Sequence, residues 1–301
     1  MSSRALVVGA SGQVGHRLAV ELGDGALRAG RVQQISAQQT KDWVHIDLAG
    51  LAHDPEQAEI IIDSHELSAV YCVGGATDVE RCEAERDWAM DTNCYGPSAL
   101  AKAARHVPFI YFSTEYVFDG RNGPYEEDSE TNPLSIYGRS KLCGEQSILS
   151  AHPKPLIVRT TVVFGHDPFQ RNFLYSLRRL LTAGQTMRVP ADQVSTPTYN
   201  RDLAAATIEL VNRGQGGIFH VCGPELLSRY EFALVAASIL GLDDSLVTAV
   251  PTSKLGQRAP RPLAAGLKTA KLLRTLPQTH MRSNADAILD WISREHVEGV
   301  A

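Results

Sequence analysis

The stretch GASGQVG, residues 9–15, decides how the first half of this chain folds. It follows the apolar run RALVV (4–8) directly and opens a helical pattern. Glycines at positions 9, 12 and 15 permit a tight turn and let the backbone approach a pyrophosphate, whose negative charge the start of a helix favours. We therefore predict a dinucleotide-binding turn, although the same glycines also fit a strand-to-helix turn that binds nothing.

Short apolar runs alternate with longer helical patterns through the first half of the chain. This alternation predicts βαβ units and a parallel sheet covered by helices on both faces. Because crossovers in such sheets are right-handed, the predicted fold is α/β, a Rossmann-type doubly wound parallel sheet. The predicted strands are 4–8, 32–36, 44–46, 68–73, 107–112 and 155–160, and 79–105 and 136–149 have helical spacing.

The alternation loosens after Thr160. One amphipathic helix follows, and the run GGIFHVCGP (216–224) predicts a late strand that returns to the sheet. We therefore predict a dinucleotide-binding domain over 1–166, which 194–223 rejoins. A small C-terminal substrate-binding lobe is predicted from 167–193 and 224–301.

The composition narrows the class of protein. The 301 residues carry a formal net charge of -5, which argues against a general nucleic-acid binder. No apolar run approaches the roughly 18 residues of a membrane span, and the N-terminus lacks the layout of a secretory signal. The five cysteines show no C-x-x-C spacing and the histidines no metal-ligand spacing. We expect a cytoplasmic protein with reduced thiols, no metal site and no membrane or nucleic-acid partner.

The region beyond the second predicted strand bears on the choice of cofactor. An NAD-selective site usually has an acidic residue about 20 residues past the glycines, whereas this region reads ISAQQTK (35–41). The absence of an acid favours NADP(H), with Lys41 or Arg17 beside the 2′-phosphate, and NAD(H) stays open. Asp47 would accept from the adenine amino group or cap a helix. The cofactor-binding residues predicted so far are Gly9, Ser11, Gly12, Gln13, Val14, Gly15, Ser36, Lys41, Asp47 and Leu48.

The stretch SIYGRSK (135–141) places a tyrosine four residues before a lysine, so Tyr137 and Lys141 share one face of a predicted helix. Thr114 lies at the end of a predicted strand, where ligands of open parallel sheets bind. An ammonium beside a phenol lowers the phenol's pKa, and a hydroxyl at position 114 would hydrogen-bond a substrate carbonyl. The pattern indicates a proton-transfer pair, although two residues on one helix face need not react.

These motifs together resemble one known family. GASGQVG, STEYVFDG (113–120), YGRSK (137–141) and DQVSTPT (192–198) are similar to the extended short-chain dehydrogenase/reductases. Within them the match is to the dTDP-4-dehydrorhamnose reductase branch, which also contains the regulatory β subunit of methionine adenosyltransferase. The resemblance implies that Thr114, Tyr137 and Lys141 are catalytic and that Asn93 supports the lysine. It also implies that Gly74, Gly75 and Ala76 pack near the cofactor, with Tyr137 and Lys141 contacting it.

The chain departs from the family pattern after the threonine, where the family usually has Asp and this chain has Glu115. We expect Glu115 to position the substrate or its loop, because Tyr137 with Lys141 already makes a complete proton-donating unit. A nucleotide-sugar diphosphate needs cationic or amide donors. The candidates are Asn172, Arg188, Arg258 and Arg261, and the predicted substrate-binding set is Thr114, Glu115, Asn172 and Arg258.

The function implied is NADP(H)-dependent reduction of a 4-keto group on a nucleotide-activated deoxysugar. A homodimer is compatible with this function. Two alternatives stay open, since fold does not determine function. One is a non-catalytic NADP-binding regulatory subunit of the methionine adenosyltransferase β type. The other is a sugar-nucleotide epimerase or dehydratase that retains NAD.

The assignment of the proton donor predicts the effect of Tyr137→Phe, which removes the hydroxyl and keeps the ring. Folding and cofactor binding should persist while turnover falls by roughly 10²–10⁴-fold, the usual contribution of general acid catalysis. Steady-state kinetics and a cofactor titration on the same preparation measure both. A variant that turns over at the unmodified rate would show that another group donates the proton.

Overall fold

A parallel sheet of seven strands lies at the centre of this computed structural model, which describes residues 3–31 and 43–298. The strand order is β11-β6-β5-β4-β1-β2-β3, so the order reverses direction between β1 and β4. In an open sheet such a switch point leaves a crevice at the carboxyl ends of the strands. The strands are β1 (Arg4–Val8), β2 (Ala26–Gly30), β3 (Trp43–His45), β4 (Leu67–Cys72), β5 (Phe109–Thr114), β6 (Leu156–Thr160), β7 (Val163–Phe164), β8 (Met187–Pro190), β9 (Val194–Ser195), β10 (Thr198–Tyr199), β11 (Gly217–His220), β12 (Leu227–Ser228) and β13 (Val247–Val250).

Helices cover both faces of this sheet. One buried cluster includes Leu18 of the first helix and Leu203 of the ninth, and the cluster on the opposite face includes Leu51 and Leu100. The predicted doubly wound Rossmann-type fold is therefore confirmed. The helices are α1 (Gln13–Leu22), α2 (Leu48–His53), α3 (Glu56–Asp63), α4 (Val79–Ala84), α5 (Arg86–Met90), α6 (Gly96–Ala103), α7 (Ile136–Ala151), α8 (Phe173–Thr182), α9 (Asn200–Asn212), α10 (Arg229–Ile239), α11 (Ala270–Thr275) and α12 (Asn284–Glu298).

The second strand of the sheet is ALRAG, residues 26–30, which the sequence pattern did not predict. Alanine and glycine are depleted in strands, so the local pattern is weak. Parallel pairing with β1 on one side and β3 on the other decides the conformation instead. The predicted strand 32–36 and the candidates Ser36 and Lys41 lie outside the described residues.

The helical pattern over 79–105 is not one helix. α4 and α5 are followed by a π-helical segment, Asp91–Tyr95, here called the π turn, which continues into α6. Single π turns inside helices occur frequently at functional sites. The π turn is buried at Asn93 and packs against α7.

A separate hydrophobic cluster lies in the C-terminal part of the chain. Phe232 of α10 and Trp291 of α12 are buried in it, and Leu177 of α8 packs with them. β8 and β13 pair in parallel beside these helices. The domain boundaries stay a prediction.

Along the described stretches, no helix combines the length and the apolar character needed to cross a bilayer.

Candidate active site

The turn after β1 packs directly against the turn after β4. Gly9 has φ +88°, and a Cβ at this position would lie 2.5 Å from the backbone nitrogen of Gly74. A Cβ at Gly15 would meet the carbonyl of Gly9. Only glycine has both the conformational freedom and the small size that these positions need. The glycines therefore bring two strand ends and the start of α1 together at the switch point of the sheet.

The start of α1 fits a dinucleotide pyrophosphate. Its N-cap, Gly12, forms no side-chain cap, and the first turn carries no acidic residue. The N–H groups of the first turn of a helix have no partner within the helix and favour an anion. The side-chain amide Nε2 of Gln13 is buried and has no hydrogen-bond partner in the part of the chain described. These unused donors match the chemistry of a bound phosphate.

Three other residues predicted to bind the cofactor lie in different settings. Asp47 caps α2, since its carboxylate accepts from the backbone N–H of Ala49 at 3.3 Å. Leu48 packs against Gly74, where an added Cβ would lie 3.2 Å from the leucine Cδ1. Arg17 is buried and forms an ion pair with Glu21 at 3.0 Å, and its role beside a 2′-phosphate stays a prediction.

Lys141 is held in the interior of the protein. It lies in the second turn of α7, is only 4% exposed, and its Nζ is 4.1 Å from the centre of the Tyr111 ring. Burial lowers the pKa of Lys141 to about 8, because a desolvated ammonium loses its hydration. The helix begins at Ser135, whose hydroxyl accepts from the backbone N–H of Gly138 at 3.2 Å. The cap thus determines where the reactive face of α7 starts.

Tyr137 lies one turn before Lys141, partly buried and edge-on to Tyr116 at 5.3 Å between ring centres. A hydrogen bond from Thr114 favours the phenolate, but burial has the larger effect and raises the pKa of Tyr137 above its ordinary value. Burial therefore makes the net shift upward, and a lowering of this pKa by Lys141 stays a prediction. The phenol stays protonated, which is the form that a proton donor needs.

Asn93 connects three parts of the site. Its Oδ1 accepts from the backbone N–H of Ala76 at 2.8 Å, and its Nδ2 donates to the Ala76 carbonyl at 3.0 Å and to the Ser140 hydroxyl at 2.9 Å. A Cβ at Gly75 would lie 2.9 Å from the Asn93 Oδ1 and 3.7 Å from the Lys141 Nζ. The asparagine therefore holds the turn after β4, the π turn and α7 in one register.

Two cysteines join the same elements. A disulfide links Cys94 of the π turn to Cys143 of α7, with 5.5 Å between their Cα atoms. The expectation of reduced thiols is wrong for this pair. The two cysteines are 49 residues apart in sequence, and only the packing of the π turn against α7 brings them together. Cys72, Cys82 and Cys222 are free and buried. Among the described residues, no group of three or more His, Cys, Asp or Glu side chains could hold a metal ion.

Glu115 is a buried carboxylate beside Thr114. Its Oε2 accepts from the Thr114 hydroxyl and its Oε1 from the Thr161 hydroxyl, each at 2.8 Å. Burial raises the pKa of Glu115 and outweighs these hydrogen bonds, which lower it, as does the charge of Arg229. The net effect favours the protonated carboxyl over the carboxylate.

Arg229, the first residue of α10, was missed by the sequence analysis. Its guanidinium lies 5.1 Å from the Phe173 ring centre, and its charge acts on both Glu115 and Tyr116. Burial lowers the pKa of Arg229. The serine before it and Glu231 form a capping box, a sequence signal that marks Arg229 as the start of a helix but not as part of a site.

The predicted substrate cations lie in different settings. Asn172 caps α8, since its Oδ1 accepts from the backbone of that helix and its Nδ2 donates to the Gly165 carbonyl. Arg258 is exposed, and its backbone N–H donates to Glu80. Arg261 forms an ion pair with Glu80 at 2.8 Å and lies 5.9 Å from the Tyr116 ring centre. Arg261 thus lies near Tyr116, whereas the side-chain amide of Asn172 makes its hydrogen bonds at the start of α8. Arg188, exposed, donates to the Lys254 carbonyl.

Comparisons with known proteins identify a matching family and several named relatives. Residues 3–294 match the RmlD substrate binding domain family. A dTDP-4-dehydrorhamnose reductase of Mycobacterium tuberculosis is 34% identical over 292 residues, covering 94% of this chain and 91% of that protein. A Bacillus anthracis dTDP-4-dehydrorhamnose reductase, solved in complex with NADP, is 28% identical with a TM-score of 0.84, covering 98% of this chain and 100% of that one. Methionine adenosyltransferase 2 subunit beta of Danio rerio is 32% identical over 226 residues, 73% of this chain and 70% of that protein.

The buried ammonium predicts a stability gain in Lys141→Met. The pKa of Lys141 falls from 10.5 to about 8 on folding. Each pH unit is worth about 1.4 kcal/mol, so the charged lysine costs about 3 kcal/mol. Below pH 8 the lysine is charged in both states and the whole cost is present. Between pH 8 and 10.5 the unfolded chain binds the extra proton, so the stability of the unmodified protein rises with pH.

We therefore expect Lys141→Met to be more stable than the unmodified protein by up to about 3 kcal/mol at pH 7. The difference should shrink as the pH rises from about 8 to 10.5. Urea unfolding at several pH values measures it. Lys102→Met, on the exposed side of α6, is the control and should stay within about 0.5 kcal/mol at every pH. A Lys141→Met protein that is less stable at pH 7 would contradict the cost assigned to burial.

Proposed function

The chain belongs to the RmlD substrate binding domain family, and on that premise we propose that it is an NADP(H)-dependent reductase. The substrate proposed is a nucleotide-activated deoxysugar with a keto group at C4. Relatives in the family carry the name dTDP-4-dehydrorhamnose reductase, which describes an oxidoreductase of this kind.

The observation that carries the proposal is the position of one phenol. Tyr137 lies at the start of α7, within hydrogen-bond reach of Thr114 at the end of β5, and Lys141 follows one turn later. The Tyr137 hydroxyl is protonated because burial raises its pKa, so it can donate to a carbonyl oxygen. A nicotinamide bound at the edge that the glycines line would supply the hydride. Lys141 stabilises the negative charge that Tyr137 acquires, and Asn93 keeps α7 in register.

The tip of β2 supports NADP(H) as the cofactor. Arg31 follows β2 directly and is exposed. In dinucleotide-binding folds the side chain beyond the second strand meets the 2′ position of the adenosine ribose, where an arginine suits a phosphate and an acid suits a hydroxyl. The Bacillus anthracis relative was solved with NADP. We propose Arg31 as the residue that contacts the 2′-phosphate, with NAD(H) as the weaker alternative.

The diphosphate of the proposed substrate needs fixed cations. The charges of Arg229 and Arg261 both lower the pKa of Tyr116, so the two guanidinium groups lie near this ring. Guanidinium groups bind phosphate oxygens with paired hydrogen bonds. We propose that these two arginines, rather than Asn172, hold the diphosphate.

A second candidate function follows from one relative. The Danio rerio protein is named as a subunit of methionine adenosyltransferase, so a related chain serves as a subunit of another enzyme. A regulatory subunit would not need a catalytic tyrosine. The desolvated Lys141 and the protonated Tyr137 make the reductase the better supported of the two.

A substrate panel separates the two functions. The purified chain is given NADPH with 4-ketosugar nucleotides that differ in base and sugar, and NADPH loss is followed optically. Catalytic NADPH loss with at least one substrate supports the reductase. NADPH binding without loss, together with a copurifying methionine adenosyltransferase, supports the regulatory subunit and contradicts the reductase.

Arg31→Ala tests the cofactor assignment. Loss of a hydrogen bond to a charged group is worth about 1.5–3 kcal/mol, so the Kd for NADPH should rise by roughly 10–100-fold. The Kd for NADH should hardly change, because its ribose has no 2′-phosphate. Arg274→Ala is the control, since α11 packs on β11 at the opposite edge of the sheet. Equal loss of affinity for both cofactors would contradict the role of Arg31.

A further inference from the structure

The carboxylate of Glu80 contacts two residues of one distant loop. Its Oε2 accepts from the backbone N–H of Arg258 at 2.9 Å, and its Oε1 accepts from Nη2 of Arg261 at 2.8 Å. Glu80 lies in the first turn of α4, and its side chain is 40% exposed, whereas that of Arg261 is only 9% exposed. One carboxylate thus holds both the backbone and a guanidinium of this loop, residues 255–261, which we call the arginine loop.

The arginine loop is anchored by other contacts on both sides. Before it, the backbone N–H of Thr252 donates to the Asp192 carboxylate at 2.9 Å. After it, the backbone N–H of Ala264 donates to the Gly120 carbonyl, in the turn that follows β5, at 2.8 Å. Glu80 adds a third point of attachment between these two anchors. It therefore acts on the part of the loop whose position the anchors leave least determined.

The ion pair between Glu80 and Arg261 matters more for geometry than for stability. A pair with a partly exposed carboxylate adds little to the stability of a fold. A guanidinium, however, presents five N–H groups in one plane. Glu80 engages one of them on Nη2, and the side-chain oxygen of Gln257 accepts from Nε at 3.4 Å. The two contacts orient the plane of the guanidinium, and the other N–H groups are not engaged by them.

Tyr116 is a neighbour of both Arg261 and the proposed proton donor. The guanidinium carbon of Arg261 lies 5.9 Å from the centre of the Tyr116 ring, and this centre lies 5.3 Å from that of the Tyr137 ring. In the proposed substrate the diphosphate is attached at C1 of the sugar and the keto group is at C4, so one sugar ring separates them. A guanidinium that fixes the diphosphate therefore also fixes how the carbonyl meets Tyr137.

The same helix, α4, holds the start of α7. Oε2 of Glu83 accepts from the backbone N–H of Ile136, the first residue of α7, at 3.0 Å. Glu80 and Glu83 are three residues apart, so they share one face of α4. One carboxylate contacts the arginine loop and the other contacts the helix that carries Tyr137. The length of one helical turn thus separates the two attachment points.

We propose that Glu80 positions Arg261 for the diphosphate of the substrate and so sets where the sugar lies relative to Tyr137. The inference rests on the proposed function, in which Arg261 binds the diphosphate of a nucleotide-activated sugar. Glu80 does not touch the substrate in this scheme. It acts through Arg261 and is a positioning residue.

Glu80→Gln tests the proposal through the affinity for a nucleoside diphosphate, without turnover. An amide has one acceptor oxygen where the carboxylate uses two, so it cannot hold both donors of the arginine loop. The probes are dTDP and UDP, and the tighter of the two is used. Its Kd should rise by roughly 10-fold, about the worth of one oriented hydrogen bond. The Kd for NADPH and the urea midpoint should hardly change, which a purely structural role would not predict.

Charge alone predicts the opposite result. The carboxylate of Glu80 repels a diphosphate, so its neutralisation without a change of geometry would tighten binding. Weaker binding in Glu80→Gln therefore supports the positioning role, and unchanged or tighter binding overturns it. Glu85→Gln is the matched control. It removes the same charge at the end of α4, where Glu85 pairs with Arg81 at 2.9 Å, and should leave both affinities unchanged.

Arg261→Ala shows whether Glu80 acts through the arginine. Loss of a hydrogen bond to a charged group should itself raise the Kd for the nucleoside diphosphate by roughly 10–100-fold. Glu80→Gln added to Arg261→Ala should raise this Kd further by less than about 3-fold, because residues that act as one unit are not additive. An undiminished effect of Glu80→Gln in the Arg261→Ala background would place the action of Glu80 elsewhere and overturn the proposal.

The binding test separates this proposal from the proposed function. If the unmodified protein binds neither dTDP nor UDP, the nucleotide-sugar substrate and the positioning role both fail. If NADPH is consumed in the substrate panel while Glu80→Gln binds the nucleoside diphosphate normally, the positioning role alone fails. If no substrate is reduced but binding depends on Glu80 as stated, the reductase fails and the positioning role stands.

Discussion

The close packing of α7 against β5 and the π turn is the constraint on which the site depends. A Cβ at Gly144 would meet the carbonyl of Asn93 and lie 2.6 Å from the Tyr111 hydroxyl, so only glycine allows this approach. Arg159 of β6 and Glu145 of α7 form a buried, two-pronged ion pair at 2.9 and 2.7 Å that holds the helix on the sheet. Removing either partner would leave an uncompensated buried charge, so the pair strongly disfavours other positions of α7 on the sheet. The register of the reactive face of α7 follows from them.

Desolvation by this packing shifts several pKa values in opposite directions. It lowers the pKa of Lys141 and raises those of Tyr137 and Glu115, because in each case the neutral form is favoured. A reductase needs a protonated phenol before hydride transfer and a means of stabilising and then discharging the phenolate afterwards. One physical effect, the removal of water, thus keeps the phenol of Tyr137 protonated and lowers the pKa of the lysine beside it.

The cofactor edge depends on a different constraint, the contact between two backbone turns. Gly9 and Gly74 approach so closely that a side chain at position 9 would separate β1 from β4. This contact leaves the N–H groups of α1 and the amide of Gln13 free to bind an anion. The disulfide between Cys94 and Cys143, with the hydrogen bonds of Asn93, joins the turn beyond β4 to α7. Cofactor edge and proton donor are therefore parts of one packed unit.

The amino-acid sequence by itself determined the fold class and the principal reactive pair, because both depend on local order. The fold class follows from GASGQVG, which lies between a strand and a helix. The reactive pair follows from the spacing of Tyr137 and Lys141, four residues apart on one helix. Local geometry is enough to interpret both patterns. The tertiary structure alone decided the second strand, 26–30, since pairing on both sides overrides the weak preference of ALRAG. It also decided the burial of Glu115, the place of Arg229 and the disulfide. Each of these depends on residues distant in sequence, and burial and electrostatic environment arise only when such residues pack together.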